Sequence, residues 1–287
     1  MKQTIEISGR QCLLYNVGEN PKVLLIQTLG EQERDGIDSE VAMISEITDA
    51  SFVMAAFAIG DWEVELTPWH DPAISKRQAV GEHAGETLRY VTDGLIPYLH
   101  QEYGELPIVL GGYSLGGLFS LWAGSESDCF AAIAAMSPSV WIAGWQDYAS
   151  QHPVKTPCVY LSLGDREEYT RNKAFAQVGN NIRWEHELLK QVLGTDNTTL
   201  EWNPGNHFMD AARRTAKGFI WCVKKTVAQQ SPLPQSVPSH STSAIRPTVS
   251  RICSSPPTAG SGSPSTAVVS TENPPPRDSI SIKERRS

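Results

Sequence analysis

Short apolar runs alternate with longer amphipathic stretches along the first 228 residues of this 287-residue chain. Runs that are apolar throughout are typical of parallel strands, because both faces of a parallel sheet are covered. The stretch 4–17 alternates polar and apolar residues instead, which predicts a hairpin that turns near Ser8 and Gly9. The strands predicted after this hairpin are residues 23–27, 52–59, 108–110, 131–136, 159–163 and 200–202.

The amphipathic stretches between these strands predict helices, because apolar residues recur there every three or four positions. The last one places Ala212, Ala216 and Phe219 on one side and is expected to close one face of the sheet. Pro97 is expected to bend the helix that contains it. The predicted fold class is therefore α/β, with a mainly parallel central sheet and helices on both faces. The predicted helices are residues 39–50, 82–103, 118–123, 170–193 and 209–228.

The composition of the chain changes near Gln229. Residues 229–287 contain 10 of the 19 prolines and 15 serines, but no tryptophan, tyrosine or phenylalanine. Such a segment cannot bury enough apolar surface to offset the entropy lost on ordering. We therefore expect one folded domain over residues 1–228 and a disordered Ser/Pro-rich tail over residues 229–287. The tail is either a solvated extension without a part in the chemistry or a linker or phosphorylatable docking segment.

Charge, apolar content and cysteine usage limit the partners and the location of the protein. The tail carries six basic and three acidic residues, so residues 1–228 hold a net charge of −11 within a total of −8. An acidic chain is poorly suited to bind nucleic acid. Apolar stretches such as 51–60 are far shorter than the roughly 20 residues that span a bilayer. The start does not resemble a signal peptide, and the five cysteines form no CxxC pair, so we expect a cytoplasmic protein without a membrane partner.

The segment 106–124, LPIVLGGYSLGGLFSLWAG, contains the strongest candidate for chemistry. Gly112, Ser114 and Gly116 form a GxSxG pattern, which on its own is weak evidence. Here an apolar strand enters the pattern and a helix-forming run leaves it, as in the strand, sharp turn and helix of a nucleophile elbow. We expect Ser114 Oγ to stand at the carboxyl end of the sheet, with the Leu115 amide facing a tetrahedral oxyanion. The alternative is a glycine-rich turn with an inert serine.

A serine hydroxyl is a poor nucleophile near neutral pH and needs a general base. His207 lies in the loop NPGNHFMD, after the last predicted strand and about 90 residues beyond the serine. A histidine after the last strand, following the serine in the chain, is the order that this architecture uses. His70 also follows a strand, but it precedes the serine; the other five histidines lie on predicted helices, in a pre-strand loop or in the tail.

An acid that orients the histidine is expected between the two residues, at the end of the penultimate strand. The segment 159–169, VYLSLGDREEY, offers Asp165, Glu167 and Glu168. Many folds of this kind place the acid three residues after the glycine that ends the strand. Counted from Gly164, that position is Glu167, with Asp165 next in line. The choice among the three stays open, and so does a solvated acidic turn that pairs with neighbouring arginines.

The remaining parts of the predicted site are a second oxyanion donor and a substrate pocket. The donor is expected just after the first parallel strand, where position alone indicates the backbone amide of Thr28 or Leu29. Aromatic residues in loops that follow strands could line an acyl or alcohol pocket, although single loop tryptophans often cap a core instead. The pocket candidates are Trp69, Trp141 and Tyr113, with Trp62 as a weaker one.

Taken together, these motifs resemble those of the putative-esterase branch of the α/β-hydrolases, which includes enterochelin-type siderophore esterases, S-formylglutathione hydrolases and feruloyl esterases. The resemblance covers roughly residues 20–225. It implies an α/β-hydrolase fold, Ser114 as nucleophile, His207 as base and an acid from the turn at 165–168, although some siderophore esterases of the group work with serine and histidine alone. The matching segments are GGYSLGGLF at 111–119, SPSVW at 137–141, LGDREE at 163–168, GNHF at 205–208 and ELTPW at 65–69.

The predicted function is hydrolysis of a small-molecule carboxylic ester or thioester through an acyl-enzyme on Ser114, with His207 as general base. No cofactor or metal is expected, because the sequence has no zinc-type Cys/His spacing, no GxGxxG fingerprint and no Walker loop. One alternative is a catalytically silent fold of this type that binds a small molecule or a protein. A peptidase is less favoured, since no propeller or cap domain accompanies the core. The motifs specify neither the ester nor the oligomeric state.

Overall fold

The computed structural model describes residues 1–74 and 82–230 of the chain, and eight strands form one sheet in it. The strands are β1 (Lys2–Ile7), β2 (Arg10–Val17), β3 (Val23–Leu29), β4 (Phe52–Ala58), β5 (Ile108–Tyr113), β6 (Ala132–Met136), β7 (Val159–Gly164) and β8 (Thr198–Asn203). Their order across the sheet is β1-β2-β4-β3-β5-β6-β7-β8. The pairs β1–β2 and β2–β4 are antiparallel, and the other neighbouring pairs are parallel. The predicted fold class is confirmed.

Helices fill the connections between the parallel strands. They are α1 (Ile37–Thr48), α2 (Trp62–Glu65), α3 (Ala84–Arg89), α4 (Ile96–Tyr103), α5 (Leu115–Glu126), α6 (Trp145–Gln151), α7 (Val178–Leu193) and α8 (Ala211–Gln230). A π-helical turn, Tyr90–Leu95, joins α3 to α4, and three short 3₁₀ turns cover Glu31–Glu33, Phe175–Gln177 and Thr195–Asn197. None of the helices in the described ranges combines the length and the hydrophobicity needed to cross a lipid bilayer.

The two faces of the sheet carry separate hydrophobic cores. In β3, Leu24 and Ile26 point to one core and Val23 and Leu25 to the other, as the alternation of side chains along a strand requires. One core receives residues of α3 to α7, and the other receives residues of α1 and α8. Because both faces are covered, the central strands read as continuous apolar runs, which explains why these strands were predictable from the sequence.

The predicted strands and the hairpin turn are confirmed. Ser8 and Gly9 both have positive φ, 49° and 82°, which is the backbone of a tight two-residue hairpin turn. The strand predicted at 108–110 continues to Tyr113, because the glycines that follow Leu110 still pair with β6. This extension delivers the chain directly to Ser114 at the carboxyl end of the sheet.

Three predicted helices differ from the structure. The helix predicted at 170–193 begins at Val178, because the Asn172 side chain accepts the amides of Ala174 and Phe175 and holds that stretch in a turn. The helix predicted at 118–123 begins at Leu115, despite two glycines in its first turn. The helix predicted at 82–103 is interrupted by the π-helical turn Tyr90–Leu95 before Pro97, where regular helical hydrogen bonding fails.

Helices α2 and α6 were absent from the sequence prediction, since four and seven residues are too few to display a helical period. Helix α8 continues to Gln230, two residues beyond the predicted domain boundary. The predicted disordered tail, from residue 231 onward, lies outside the described residues.

Candidate active site

Ser114 occupies a strained turn between β5 and α5. Its backbone angles are φ 58° and ψ −118°. Residues other than glycine rarely adopt this backbone conformation, so the surrounding packing must enforce it. A Cβ at Gly112 would lie 2.6 Å from the carbonyl carbon of Gly116, so the two ends of the turn approach too closely for any other residue. The Ser114 amide donates to the Met136 carbonyl oxygen at 3.0 Å, which ties the turn to β6.

His207 lies over this turn on the loop between β8 and α8. Its Nε2 is 3.0 Å from Ser114 Oγ, and its Nδ1 is 2.7 Å from Glu167 Oε2. The Tyr113 hydroxyl donates to the His207 carbonyl oxygen at 2.7 Å and supports the loop from below. The His207 side chain is 30% exposed, so the ring can exchange protons with solvent and reach a bound molecule.

The Glu167 carboxylate is almost fully buried, at 3% exposure, and three donors contact its Oε1 atom. Oε1 accepts from Ser137 Oγ and the Gly164 amide at 2.7 Å and from Arg214 Nη1 at 2.9 Å. Burial alone would raise the pKa of Glu167, but hydrogen bonds from His207, Ser137 and the Gly164 amide outweigh it and hold the pKa below its usual value. The group is therefore ionised at neutral pH.

An ionised Glu167 can only accept, so the His207 nitrogen that faces it must carry the ring proton. In the neutral ring Nε2 is then unprotonated and faces Ser114 Oγ, in position to take the hydroxyl proton during an attack. The imidazolium that forms would be stabilised by the carboxylate on its other side. These three side chains have the geometry that nucleophilic acyl transfer requires.

The structure separates the three candidate acids. Asp165 Oδ1 accepts the Gly205 amide at 2.8 Å, which ties that carboxylate to the backbone of the loop that carries His207. Glu168 forms a bidentate pair with Arg183, and this pair holds the pKa of Glu168 below its usual value. Among the three, only Glu167 contacts His207, which is the position three residues after Gly164.

Arg214, which no motif of the sequence marks, contacts this acid. It lies in the first turn of α8, one of several basic residues on that helix, and its spacing carries no signal that marks it. Ser139 was also missed as an individual residue: its Oγ lies 3.5 Å from Ser114 Oγ, and its amide donates to the Ser114 carbonyl oxygen.

A cavity of about 770 Å³ opens in front of Ser114, His207 and Leu115. Its wall is mainly apolar, and Trp141 packs against Phe175 in it with ring centroids 4.3 Å apart. Polar side chains around it include Ser139, Asn172, Asn206 and Arg166. The large apolar residues of the lining are Trp62, Ile74, Trp141, Phe175, Val178 and Phe208.

Two of the pocket candidates lie elsewhere in the described structure. Trp69 donates from Nε1 to the Ala143 carbonyl oxygen at 2.8 Å and packs on Trp145, so it braces the loop behind Trp141 rather than lining the cavity. Tyr113 lies beneath His207, where its hydroxyl is engaged. Trp62, the weaker candidate, lines the cavity beside Leu115. A strand followed by a loop gives no information on which side of that loop an indole lies.

The proposed oxyanion donors flank the turn. Leu115 is the first residue of α5 and lines the cavity, so its amide belongs to the free first turn of that helix. Thr28 and Leu29 end β3 and are buried at 1% exposure each. The backbone amide of Gly30, the next residue, already donates to Glu33 Oε2 at 2.6 Å. The second oxyanion donor therefore remains predicted at the backbone amide of Thr28 or Leu29.

Among residues 1–74 and 82–230, no three His, Cys, Asp or Glu side chains form a group that could hold a metal ion. The side chains at the cavity are a hydroxyl, an imidazole and a carboxylate, which are joined by hydrogen bonds in that order.

Comparison with known proteins shows which family the chain resembles. A model of the Putative esterase family matches residues 21–214. No curated protein matches the chain in sequence. An IroE-like serine hydrolase from Shewanella oneidensis superposes with a TM-score of 0.63 at 15% identity, over 78% of this chain and 80% of that one.

Two fungal structures are similarly close. Siderophore hydrolase EstA from Aspergillus nidulans has a TM-score of 0.58 at 19% identity, over 79% of this chain and 94% of its own. Siderophore hydrolase EstB from the same fungus has a TM-score of 0.59 at 17% identity, over 81% and 96%. At such identities the likeness carries the fold alone, whereas the family match spans about two thirds of the chain. The chain therefore belongs to the Putative esterase family of the α/β-hydrolase superfamily and is a carboxylic ester hydrolase.

Proposed function

We propose that the protein hydrolyses a small-molecule ester or thioester through a covalent acyl-enzyme on Ser114. In the first step Ser114 Oγ attacks the carbonyl carbon while His207 Nε2 takes the hydroxyl proton. The tetrahedral intermediate collapses as the bond to the alcohol or thiol breaks and His207 returns its proton to the leaving group. A water molecule, deprotonated by His207, then attacks the acyl carbon. The bond to Ser114 Oγ breaks as His207 returns the proton to that oxygen, which releases the acid and restores the serine hydroxyl.

The observation that carries this proposal is the hydrogen-bonded line from Ser114 through His207 to Glu167, with distances of 3.0 and 2.7 Å. A module that only binds a ligand has no need of a nucleophile in a strained turn, because such a conformation costs about 1–3 kcal/mol. We assign Glu167 the orienting role, since it alone of the three nearby acids reaches the imidazole.

The cavity supports a substrate with a sizeable apolar part. Its volume of about 770 Å³ exceeds what a short acyl chain fills, and its aromatic wall suits a planar or branched group. Phe208, beside the base, and Tyr169 stand largely exposed at its mouth, where they could contact the remote end of an extended ester. The names of EstA and EstB make a siderophore ester one candidate to include among the substrates tested.

The test is turnover of a panel of p-nitrophenyl esters of increasing acyl length, together with one S-acyl glutathione, one aromatic ester and one siderophore ester. We expect measurable turnover by the full-length protein, which Ser114→Ala and His207→Ala each reduce by at least about 10³-fold. Ser150→Ala, on the exposed face of α6, is the control and should retain wild-type rates. Turnover that survives in Ser114→Ala, or ligand binding without turnover of any ester, would refute the proposal.

We also propose the cytoplasm as the location of the protein. The four cysteines of the described residues, Cys12, Cys129, Cys158 and Cys222, are free thiols, which suits a reducing compartment. Detection of the protein in a membrane or secreted fraction after cell fractionation would contradict this assignment.

A further inference from the structure

A buried arginine joins the acid to the loop that carries the histidine. Arg214, in the first turn of α8, is 1% exposed. Its Nη1 donates to Glu167 Oε1 at 2.9 Å and to the Tyr113 hydroxyl at 3.0 Å. Its Nη2 donates to the carbonyl oxygens of Pro204 and Asn206 at 2.9 and 3.0 Å. One guanidinium thus contacts the acid, the end of β5 and the loop that precedes His207.

Fold stability alone gives a poor reason for this arrangement. Burying a charged pair costs desolvation energy that well-packed apolar side chains of similar volume avoid. The Arg214 Nε atom is also buried without a hydrogen-bond partner in the described structure, which adds a further cost. A residue kept at such a cost, in contact with the acid of a reactive site, calls for a functional explanation.

We propose that Arg214 is a positioning residue of the hydrolytic reaction, which keeps Glu167 ionised and oriented and holds the His207 loop at the distance that Ser114 requires. This inference rests on the proposed function. Arg214 contacts neither the cavity in front of Ser114 nor the imidazole, so it acts through Glu167 and through the loop.

The orientation of Glu167 follows from how its two oxygens are shared. Arg214, together with Ser137 and the Gly164 amide, occupies Oε1 and leaves Oε2 for His207 Nδ1. An arginine suits this role because its planar fork can reach several acceptors at once and its charge is permanent. A rotated carboxylate would lose the Arg214 bond, so the His207 contact is held by a partner on the opposite oxygen.

A second connection runs through Tyr113. Burial raises the pKa of Tyr113, so its hydroxyl stays protonated. That hydroxyl accepts from Arg214 and donates to the His207 carbonyl oxygen at 2.7 Å. Arg214 therefore supports the backbone on both sides of the imidazole, at Asn206 directly and at His207 through Tyr113.

The surrounding charges leave Arg214 as the permanent cation in contact with Glu167 in the described residues. His207 and Tyr113 are the other titratable groups that touch the pair. Two other nearby groups are engaged elsewhere: the Asp165 carboxylate accepts from the Gly205 amide, and Lys217, one turn along α8, pairs with Glu201. Arg166, beside Glu167 in sequence, lines the cavity.

The test compares kcat and kcat/KM against pH, with a p-nitrophenyl ester, for the full-length protein and three variants. Arg214→Met removes the charge at similar length, and Arg214→Lys keeps the charge without the fork. Arg213→Met is the matched control, because it removes the same charge from the exposed position that precedes Arg214 in the helix. Circular dichroism and titration with a fluorophosphonate report folding and the fraction of active sites.

For Arg214→Met we expect kcat to fall about 10²–10³-fold, with KM within about threefold of the wild type. The acidic limb of kcat/KM should move to higher pH by about one to two units, because the Glu167–His207 pair binds its proton more tightly once the neighbouring positive charge is gone. For Arg214→Lys we expect the limb to stay within about 0.3 pH unit and kcat to fall about tenfold. Arg213→Met should change neither quantity.

Wild-type kcat and an unmoved limb in Arg214→Met would overturn the proposal, and so would a loss of active sites with an unmoved limb in those that remain. If Arg214→Met does not fold, Arg214→Lys decides, and wild-type kcat in that variant would overturn the proposal. Absence of turnover in the wild-type protein would refute the proposed function itself. Turnover in the wild type with Arg214 variants that match Arg213→Met would refute this inference alone.

Discussion

At the residue scale, the hydrogen bonds around Glu167 decide which nitrogen of His207 carries the ring proton. An ionised carboxylate beside Nδ1 selects the form in which Nε2 is free to accept from Ser114. Donors from β7, from the loop after β6 and from α8 converge on the other oxygen of this carboxylate. The reactivity proposed for Ser114 therefore depends on residues other than the two that would exchange the proton.

Replacing Glu167 with glutamine tests this reasoning. The amide could offer its NH₂ group to Nδ1 and would then favour the ring form with the proton on Nε2, which cannot accept from Ser114. We expect Glu167→Gln to lower kcat by about 10³- to 10⁴-fold with little change in KM, measured with a p-nitrophenyl ester. Glu168→Gln, one residue along, removes the same charge from the Arg183 pair and should stay within about twofold. A larger loss of kcat in Glu168→Gln than in Glu167→Gln would show that the assignment of the acid is wrong.

At the element scale, the turn between β5 and α5 depends on its fit against β3. A Cβ at Gly116 would overlap Thr28 Oγ1, while Thr28 Cβ would remain 3.5 Å from it, an ordinary contact. The turn thus places α5 so close to β3 that no side chain fits at Gly116. Glycine is required there because of the packing against Thr28 as well as because of the backbone conformation of the turn. This close approach also brings the start of α5 beside the residues expected to donate to the oxyanion.

We expect Gly116→Ala to destabilise the protein by about 1–3 kcal/mol and to reduce kcat, because the alanine pushes α5 away from β3. Thr28→Ala removes the overlapping hydroxyl, so the double variant should recover at least half of the lost stability. Gly85→Ala is the control, since a Cβ there meets open space within α3 and should leave stability equal or slightly higher. Urea unfolding of the wild type and these variants measures the differences. A double variant no more stable than Gly116→Ala would contradict the packing explanation.

A second element-scale feature is the acid buried between α6 and α7. Glu185 is 2% exposed and receives a hydrogen bond from Trp145 Nε1 at 2.8 Å. Burial raises the pKa of Glu185 from 4.5 to about 7. Because the pKa is higher in the folded than in the unfolded state, the folded protein binds this proton more tightly. The ionised carboxylate therefore lowers the free energy of unfolding by an amount that grows as the pH rises from about 4.5 to about 7 and is constant above that range.

Glu185→Gln should remove this dependence, since an amide can accept the Trp145 bond without ionising. We expect the variant to match the wild type near pH 4.5 and to be more stable at pH 8, by up to about 3 kcal/mol. Glu187→Gln, at an exposed position on the same helix, should not reproduce this pattern. Urea unfolding at both pH values provides the comparison; equal stability of Glu185→Gln and wild type at pH 8 would contradict it.

At the scale of the whole molecule, the sequence predicts the strands and their sequence order well, because each central strand is a short apolar run. Each central strand is covered on both faces, so its residues are apolar throughout, and the order of Ser114, the acid and His207 along the chain follows the order of the strands. The helix predicted at 170–193 differs at its start for a local reason, because the Asn172 side chain accepts the amides of the residues that follow it and holds them in a turn.

The parts of the site that the sequence did not predict depend on packing between distant segments. Arg214 reaches Glu167 across 47 residues, and nothing in the spacing of α8 distinguishes it from Arg213. Trp62 and Trp69 both follow β4, but which indole faces the cavity is decided by the hydrogen bond between Trp69 and Ala143. Such contacts depend on the placement of entire loops, which local pattern does not encode.

The composition of the C-terminal segment leads to a further whole-molecule prediction. We propose that residues 231–287 contribute nothing to the packed core, since they contain no aromatic residue. A protein ending at Gln230, the last residue of α8, should keep the kcat, KM and melting temperature of the full chain within experimental error. A fall in melting temperature of more than about 3 °C, or a change in KM, would assign the tail a structural or binding role.

The central claim is that Ser114 is the nucleophile and that His207 activates it. The most direct measurement is mass spectrometry of the full-length protein after reaction with a fluorophosphonate, followed by peptide mapping of the adduct. The account predicts one adduct per chain on the peptide that contains Ser114, none in Ser114→Ala and labelling slowed by at least about 10²-fold in His207→Ala. An adduct on a different residue, or ester turnover by a protein that forms no adduct on Ser114, would contradict it.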